Sequence, residues 1–242
     1  MEAMTLVDPQ THHPDVSLRQ AALIAASGLL VMSVLSPLGF FYIFPRLIAP
    51  TDIAQTVLNL KAHRGLFFAG ITCYLVTFLL DIVVAWALVV LLRPVNRSLS
   101  LLAGWFRLAY AAMALVALLK LVTILRLLAS GDYQAVHGAQ QLHAQVQLLL
   151  LSFRYEWSFS LIGFAVHLGL LSVLVFRSGY IPKVLGVLLA INSLGYLIDT
   201  LRPLLFPTLS LPYLFVAFFG ELFFMLWLFF GGSRLQDPGR TT

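Results

Sequence analysis

Long apolar stretches, separated by short polar segments, dominate the sequence. Crossing about 30 Å of hydrocarbon takes roughly 20 helical residues. The stretches that reach this length lie near 20–44, 65–92, 100–128, 155–177, 182–202 and 212–231. The pattern predicts an all-α, polytopic integral membrane protein whose six transmembrane helices form one bundle at 18–232. Polar tails at 1–17 and 233–242 flank this bundle.

Composition supports a membrane location and excludes other classes. Hydrophobic residues make up 60% of the chain and charged residues 10%, whereas soluble proteins carry about 25% charged residues. The net charge of +5 comes with few acids, and no two basic residues are adjacent. A nucleic-acid partner is therefore not expected, and the expected partner is the lipid bilayer. The single cysteine, Cys73, lies in an apolar stretch, which excludes an intrachain disulfide.

Two short connections, 93–97 and 177–183, each carry two basic residues beside a proline. Proline cannot continue the hydrogen bonding of a preceding helix, so both connections are predicted to be tight turns. Lys and Arg in short loops favour the cytoplasmic side. The side with both termini holds seven such residues against six: Arg19, Arg93, Arg97, Arg177, Lys183, Arg234 and Arg240 against Arg46, Lys61, Arg64, Arg126, Arg154 and Arg202. We therefore expect cytoplasmic termini.

The connections 45–64 and 129–154 are longer and more polar. Asp52 followed by Gln55 is typical of a capping box, which predicts a short surface helix ending near His63. The second connection is rich in Gln and His and is predicted to be helical. It either lies at the interface or extends the fourth span.

Several short motifs together resemble a known bacterial family of membrane proteins. They include RPVNRSL at 93–99, FRSGYIP at 176–182, LGVLL at 185–189, GYLID at 195–199 and GE at 220–221. The chain resembles the family catalogued as domain of unknown function 4386 from about residue 18 to 232. The resemblance implies a multi-pass protein of the bacterial inner membrane. It implies no activity.

Ionisable residues within the spans form two layers when depth is counted from the presumed cytoplasmic end. The first layer lies at roughly 13–18 Å and comprises Asp81, Arg107, His167 and Glu221. The second lies at roughly 27–33 Å and comprises Lys120, Glu156 and Asp199. Because buried charge is costly, such residues require partners or a function. We name the first set the mid-membrane cluster and the second the outer layer.

The mid-membrane cluster has three interpretations. In the one we favour, Asp81 pairs with Arg107 and His167 is hydrogen-bonded to Glu221, which gives a purely structural network. Alternatively, the carboxylates and imidazole handle protons or bind a ligand. A metal site is the least supported, because no metal-binding signature is present. For the outer layer we expect charged side chains at the depth of the lipid headgroups.

These patterns leave function open between classes. We expect a binding or regulatory membrane protein, acting on a lipid, a small amphiphile or a membrane protein partner. The alternatives are a proton-coupled transporter of small molecules and an intramembrane enzyme with a lipophilic substrate. No nucleophile elbow, phosphate-binding loop or dinucleotide fingerprint occurs, so the sequence identifies neither catalytic residues nor a cofactor.

Overall fold

A computed structural model describes residues 16–205, 219–232 and 235. Within these residues the chain is helical and has no strand. The elements are α1 (Leu18–Pro37), a π-helical segment (Leu38–Ile43), α2 (Phe44–Leu47), α3 (Ile53–Ala62), α4 (Arg64–Leu92), α5 (Arg97–Ala129), α6 (Asp132–Ser178), α7 (Lys183–Leu205) and α8 (Phe219–Phe230). The predicted all-α class is confirmed.

Five helical stretches are long and apolar enough to cross a membrane, and α8 is a shorter apolar helix of 12 residues. The five stretches begin at α1, α4, α5, α6 and α7, and the first runs unbroken from Leu18 to Leu47. Residues 212–218 of the predicted sixth span lie outside the described part, as do 1–15 of the amino-terminal tail and nearly all of the carboxy-terminal tail. The chain is a polytopic membrane protein.

Local capping fixes where the helices begin. Ser17 and Gln20 form a complete capping box at the start of α1. At α3, the Gln55 N–H donates to the side chain of Asp52 at 2.9 Å. The Gln55 side chain, however, donates to Asn59, and the Asp52 N–H donates to the Ala49 carbonyl oxygen and not to Gln55. The surface helix forms as predicted, with half of the expected capping box.

The two basic turns meet at one end of the bundle, which we call the basic end. The hydroxyl of Tyr180, in the second turn, donates to the carbonyl oxygen of Leu91 at 2.7 Å, just before the first turn. Burial raises the pKa of Tyr180 to about 12, so the phenol remains a donor across the physiological pH range. Gly179 ends α6 with φ at 72°, a left-handed conformation that favours glycine.

Helix α6 is longer than the predicted span at 155–177, because the polar segment before it is helical too. It covers 47 residues, and Gly138 interrupts it with a non-helical conformation. From 139 to 178 it rises roughly 60 Å, twice the thickness of the hydrocarbon. Of the two alternatives for 129–154, the extension of the fourth span is confirmed.

Helices α5 and α6 therefore project beyond the far end of α7, which has only 23 residues. Helix α3 packs against this projection and against α4. Lys61 on α3 donates to the side-chain oxygen of Gln134 on α6 at 2.7 Å. These contacts join α3 to the part of α5 and α6 that extends beyond α7.

Candidate functional site

The four predicted residues of the mid-membrane cluster meet around one guanidinium group. Arg107 on α5 contacts Asp81 on α4, His167 on α6 and Glu221 on α8. The side chains of Arg107 and Asp81 are 1% exposed, and that of Glu221 is 20% exposed. The structure thus brings together four residues, from four helices, that the depth count places in one layer.

Asp81 and Arg107 form the shortest ion pair of the cluster. Nε of Arg107 donates to Oδ1 of Asp81 at 2.9 Å, and Nη2 lies 2.6 Å from the same oxygen. The angle at Nη2 is poor for a hydrogen bond, so this second contact is mainly an ion pair. Oδ2 of Asp81 is buried without a hydrogen-bond partner among the described residues. The predicted pair between α4 and α5 is present.

The partners of His167 define which of its nitrogens carries hydrogen. Nε2 lies 3.3 Å from Nη1 of Arg107, and Nδ1 lies 2.9 Å from the carbonyl oxygen of Ala103. A guanidinium only donates and a carbonyl only accepts. Nδ1 therefore carries the hydrogen and Nε2 accepts, which makes the imidazole neutral. The expected hydrogen bond from His167 to Glu221 is replaced by contacts of both residues with Arg107.

Glu221 joins α8 to the rest of the cluster. Its Oε1 accepts from Nη1 of Arg107 at 3.2 Å, while the backbone of α8 packs against α1 and α7. With a neutral His167, two carboxylates face one guanidinium. The cluster therefore carries one net negative charge when both acids are ionised.

Asn192 on α7 is a buried polar side chain that lies close to α8 and is not one of the four predicted residues. Asn192 is fully buried, and neither atom of its amide has a partner among the described residues. A Cβ at Gly220 would lie 3.3 Å from Cβ of Asn192 and 2.6 Å from the Leu188 carbonyl. Asn192 therefore sits against α8 next to Glu221. Its spacing of four from Tyr196, on the same helical face, was the available signal.

The geometry of the cluster favours a structural role. Arg107 directs its nitrogens at Asp81, His167 and Glu221, and both nitrogens of His167 are engaged. Over the described ranges, no group of three or more His, Cys, Asp or Glu is arranged to hold a metal ion. A cation among these acids would also lie beside the guanidinium. The arrangement is a network that ties α4, α5, α6 and α8 together.

The predicted outer layer forms two separate ion pairs. Nζ of Lys120 lies 3.4 Å from Oε1 of Glu156, joining α5 to α6. Asp199 pairs with Arg202, three residues further along α7, at 3.7 Å. These side chains are between 28% and 49% exposed. The structure therefore brings Lys120 and Glu156 together and gives Asp199 a partner on its own helix.

Next to the outer layer, α5, α6 and α7 enclose a groove of about 1020 Å³. Its apolar wall includes Met113, Val116 and Phe159, and Arg154 and Glu156 also line it. We call it the distal groove, because it lies beside the end of α7 that is opposite the basic turns. Sequence reasoning did not identify it, since a groove depends on how three helices diverge.

The fold and the buried ion cluster define a polytopic α-helical membrane protein. Residues 24–232 match the family described as Domain of unknown function (DUF4386), and the chain belongs to this family. It is 37% identical over 159 residues to an uncharacterized protein of Archaeoglobus fulgidus, an alignment covering 66% of this chain and 81% of the relative. No solved structure matches the chain. The resemblance seen in the sequence is confirmed.

Proposed function

We propose that this protein binds a membrane amphiphile in the distal groove. The groove itself carries the proposal: its volume of about 1020 Å³ is at the upper end of small-molecule sites, which span roughly 300–1,000 Å³. Apolar side chains with a few polar groups are typical of such sites. A binding or regulatory role requires no catalytic group.

The position of the groove along the bundle supports an amphiphilic ligand. Glu156 precedes Arg177, at the basic end of α6, by about 21 residues, which is roughly 31 Å of helix and close to the hydrocarbon thickness. Arg154 and Glu156 therefore lie at headgroup depth. Met113 and Phe159 line the same groove on the membrane side of these charges. A ligand with a polar head and an apolar tail matches this order.

The mid-membrane cluster is the framework of the bundle in this proposal. An intramembrane enzyme is less well supported, because its candidate base His167 is held between Arg107 and the Ala103 carbonyl. None of the residues that line the groove, in contrast, belongs to the mid-membrane cluster.

A second candidate, proton-coupled transport, is favoured by one observation. Asp81 and Glu221 both face Arg107, and a proton on one carboxylate would neutralise the cluster. Reconstituted vesicles containing a pH-sensitive dye would test this. With the outside buffer made more acidic than the lumen, proton entry should acidify the lumen faster with the wild type than with Glu221→Gln. Equal dye traces for both proteins and for empty vesicles would eliminate this candidate.

We also propose that the protein resides in a bacterial cytoplasmic membrane with both termini in the cytoplasm. The positive charge of the two basic turns supports this orientation. A carboxy-terminal green fluorescent protein fusion should then fluoresce, and an alkaline phosphatase fusion should be inactive. The opposite pair of results would reverse the orientation.

Filling the groove provides the main test of ligand binding. Met113→Trp should remove bound lipid when the purified protein is titrated with phosphatidylglycerol and phosphatidylethanolamine and examined by native mass spectrometry. Leu102→Trp is the matched control, since Leu102 and Met113 are 40% and 43% exposed. They are eleven residues apart, on the same face of α5 and about 16 Å from each other. Equal lipid binding by both variants would contradict the proposal.

A further inference from the structure

Resting on the proposed function, we infer that the ligand of the distal groove is an anionic phospholipid of the bilayer, whose phosphate is recognised by Arg154. The inference comes from the charges around the groove and from the order of polar groups along α6.

Charge pairing around the groove leaves Arg154 as a cation without an acidic partner among the described residues. Glu156, the acid that lines the groove, pairs with Lys120 at 3.4 Å. Asp199 pairs with Arg202 at 3.7 Å. Of the two charged residues that line the groove, Glu156 is compensated by Lys120, and Arg154 is therefore the uncompensated charge. That charge favours an anionic headgroup.

Chemistry at Arg154 suits a phosphate in particular. A guanidinium group presents a planar fork of donors that matches two phosphate oxygens. The guanidinium carbon of Arg154 lies 5.6 Å from the ring centre of Tyr155, within range of a cation–π contact that restrains the side chain. The site therefore offers a partly oriented donor group at headgroup depth.

The order of side chains along the groove argues for a phospholipid and not a simple fatty acid. Ser158 follows Arg154 by one helical turn, about 6 Å deeper in the bilayer. Ser158 and Thr200 line the same groove, and the Thr200 hydroxyl donates to the Ser158 carbonyl oxygen at 3.4 Å. Phe159 directly follows Ser158, and both Phe159 and Met113 line the groove. Charge at the outer end, with hydroxyl-bearing and apolar residues deeper in the bilayer, matches a phosphate followed by glycerol esters and acyl chains.

The experiment compares bound phosphatidylglycerol with bound phosphatidylethanolamine, titrated as an equimolar mixture and counted by native mass spectrometry. One charge-assisted contact at an exposed position predicts a roughly three- to tenfold preference for phosphatidylglycerol. Arg154→Gln should abolish the preference while retaining phosphatidylethanolamine, and Arg154→Lys should retain part of it. Arg126→Gln, a basic residue of the same end that does not line the groove, is the control and should behave as wild type.

Two results would overturn the inference while leaving the proposed function intact. One is equal binding of the two lipids by the wild type, with both lost in Met113→Trp. The other is displacement of phosphatidylglycerol by an equal concentration of oleate, which has the charge but lacks glycerol esters. Failure of Met113→Trp to reduce any lipid would instead refute the groove as the site, and with it the proposed function.

Discussion

The mid-membrane cluster and the outer layer contain the same kinds of charged residue but differ in surroundings. Arg107 and Asp81 are 1% exposed and lie 2.6 Å apart. Lys120 and Glu156 are 34% and 41% exposed and lie 3.4 Å apart. Residue type alone therefore does not indicate what an ion pair in a membrane helix does. Burial separates a pair that holds helices together from one that can exchange its partner for water or lipid.

The physical reason is desolvation. A buried ion pair loses its hydration when it forms, and loss of one partner leaves an uncompensated charge in a medium of low polarity. A half-exposed pair keeps part of its hydration, and solvent replaces a missing partner at little cost. Substitutions in the two regions should therefore differ strongly in their effect on stability.

The largest effect is expected for Arg107→Gln. It removes the cation that Asp81 and Glu221 share and should lower the free energy of unfolding by about 3–5 kcal/mol. Thermal unfolding in detergent, followed by tryptophan fluorescence, measures the loss, and Arg126→Gln on the same helix is the control. A melting temperature equal to that of the control would contradict a framework role.

A second substitution should partly reverse that loss. Combining Asp81→Asn with Arg107→Gln removes both charges of the pair, so the double variant should be more stable than Arg107→Gln alone by about 2 kcal/mol. Unfolding of the two single variants and the double variant completes a thermodynamic cycle. Additive effects would mean that the pair is not coupled.

Much of the cluster was predictable from the sequence. Counting residues at a constant helical rise from the basic end placed four ionisable groups at one depth. Because burying an unpaired charge is costly, these groups are expected to contact one another, which predicts the ion pair of Asp81 with Arg107. Depth therefore follows from regular helix geometry, even though each helix lies far from the others in sequence.

The details of the cluster were less predictable, because they depend on helix rotation and side-chain reach. Arg107 has enough donors to bind His167 and Glu221 simultaneously, so these two residues contact Arg107 and not each other. The sequence does not decide whether α6 continues through 139–154, because the polar residues there suit either solvent or an interface. The distal groove had no sequence signal at all.

A smaller loss of stability is expected for Glu221→Gln. The amide keeps an oxygen that accepts from Nη1 of Arg107, and the Glu221 side chain is already 20% exposed. Removing the surplus negative charge also offsets the weaker hydrogen bond, so the loss should be about 1 kcal/mol or less. Measuring the free energy of unfolding of Glu221→Gln and of Asp81→Asn side by side checks that the loss is smaller for Glu221→Gln. A larger loss for Glu221→Gln than for Asp81→Asn would show that the tie from α8 is the stronger one.

The smallest stability effect, and the sharpest test of the comparison, is expected for Lys120→Gln. The pair with Glu156 is partly solvated, so its loss should cost less than about 1 kcal/mol, and less still at high salt. Ligand selection should nevertheless change, because an unpaired Glu156 adds negative charge to the groove lined by Arg154. Native mass spectrometry should then show a weaker preference for phosphatidylglycerol in a protein with near-normal unfolding. A strongly destabilised variant with unchanged preference would remove the distinction between the two regions.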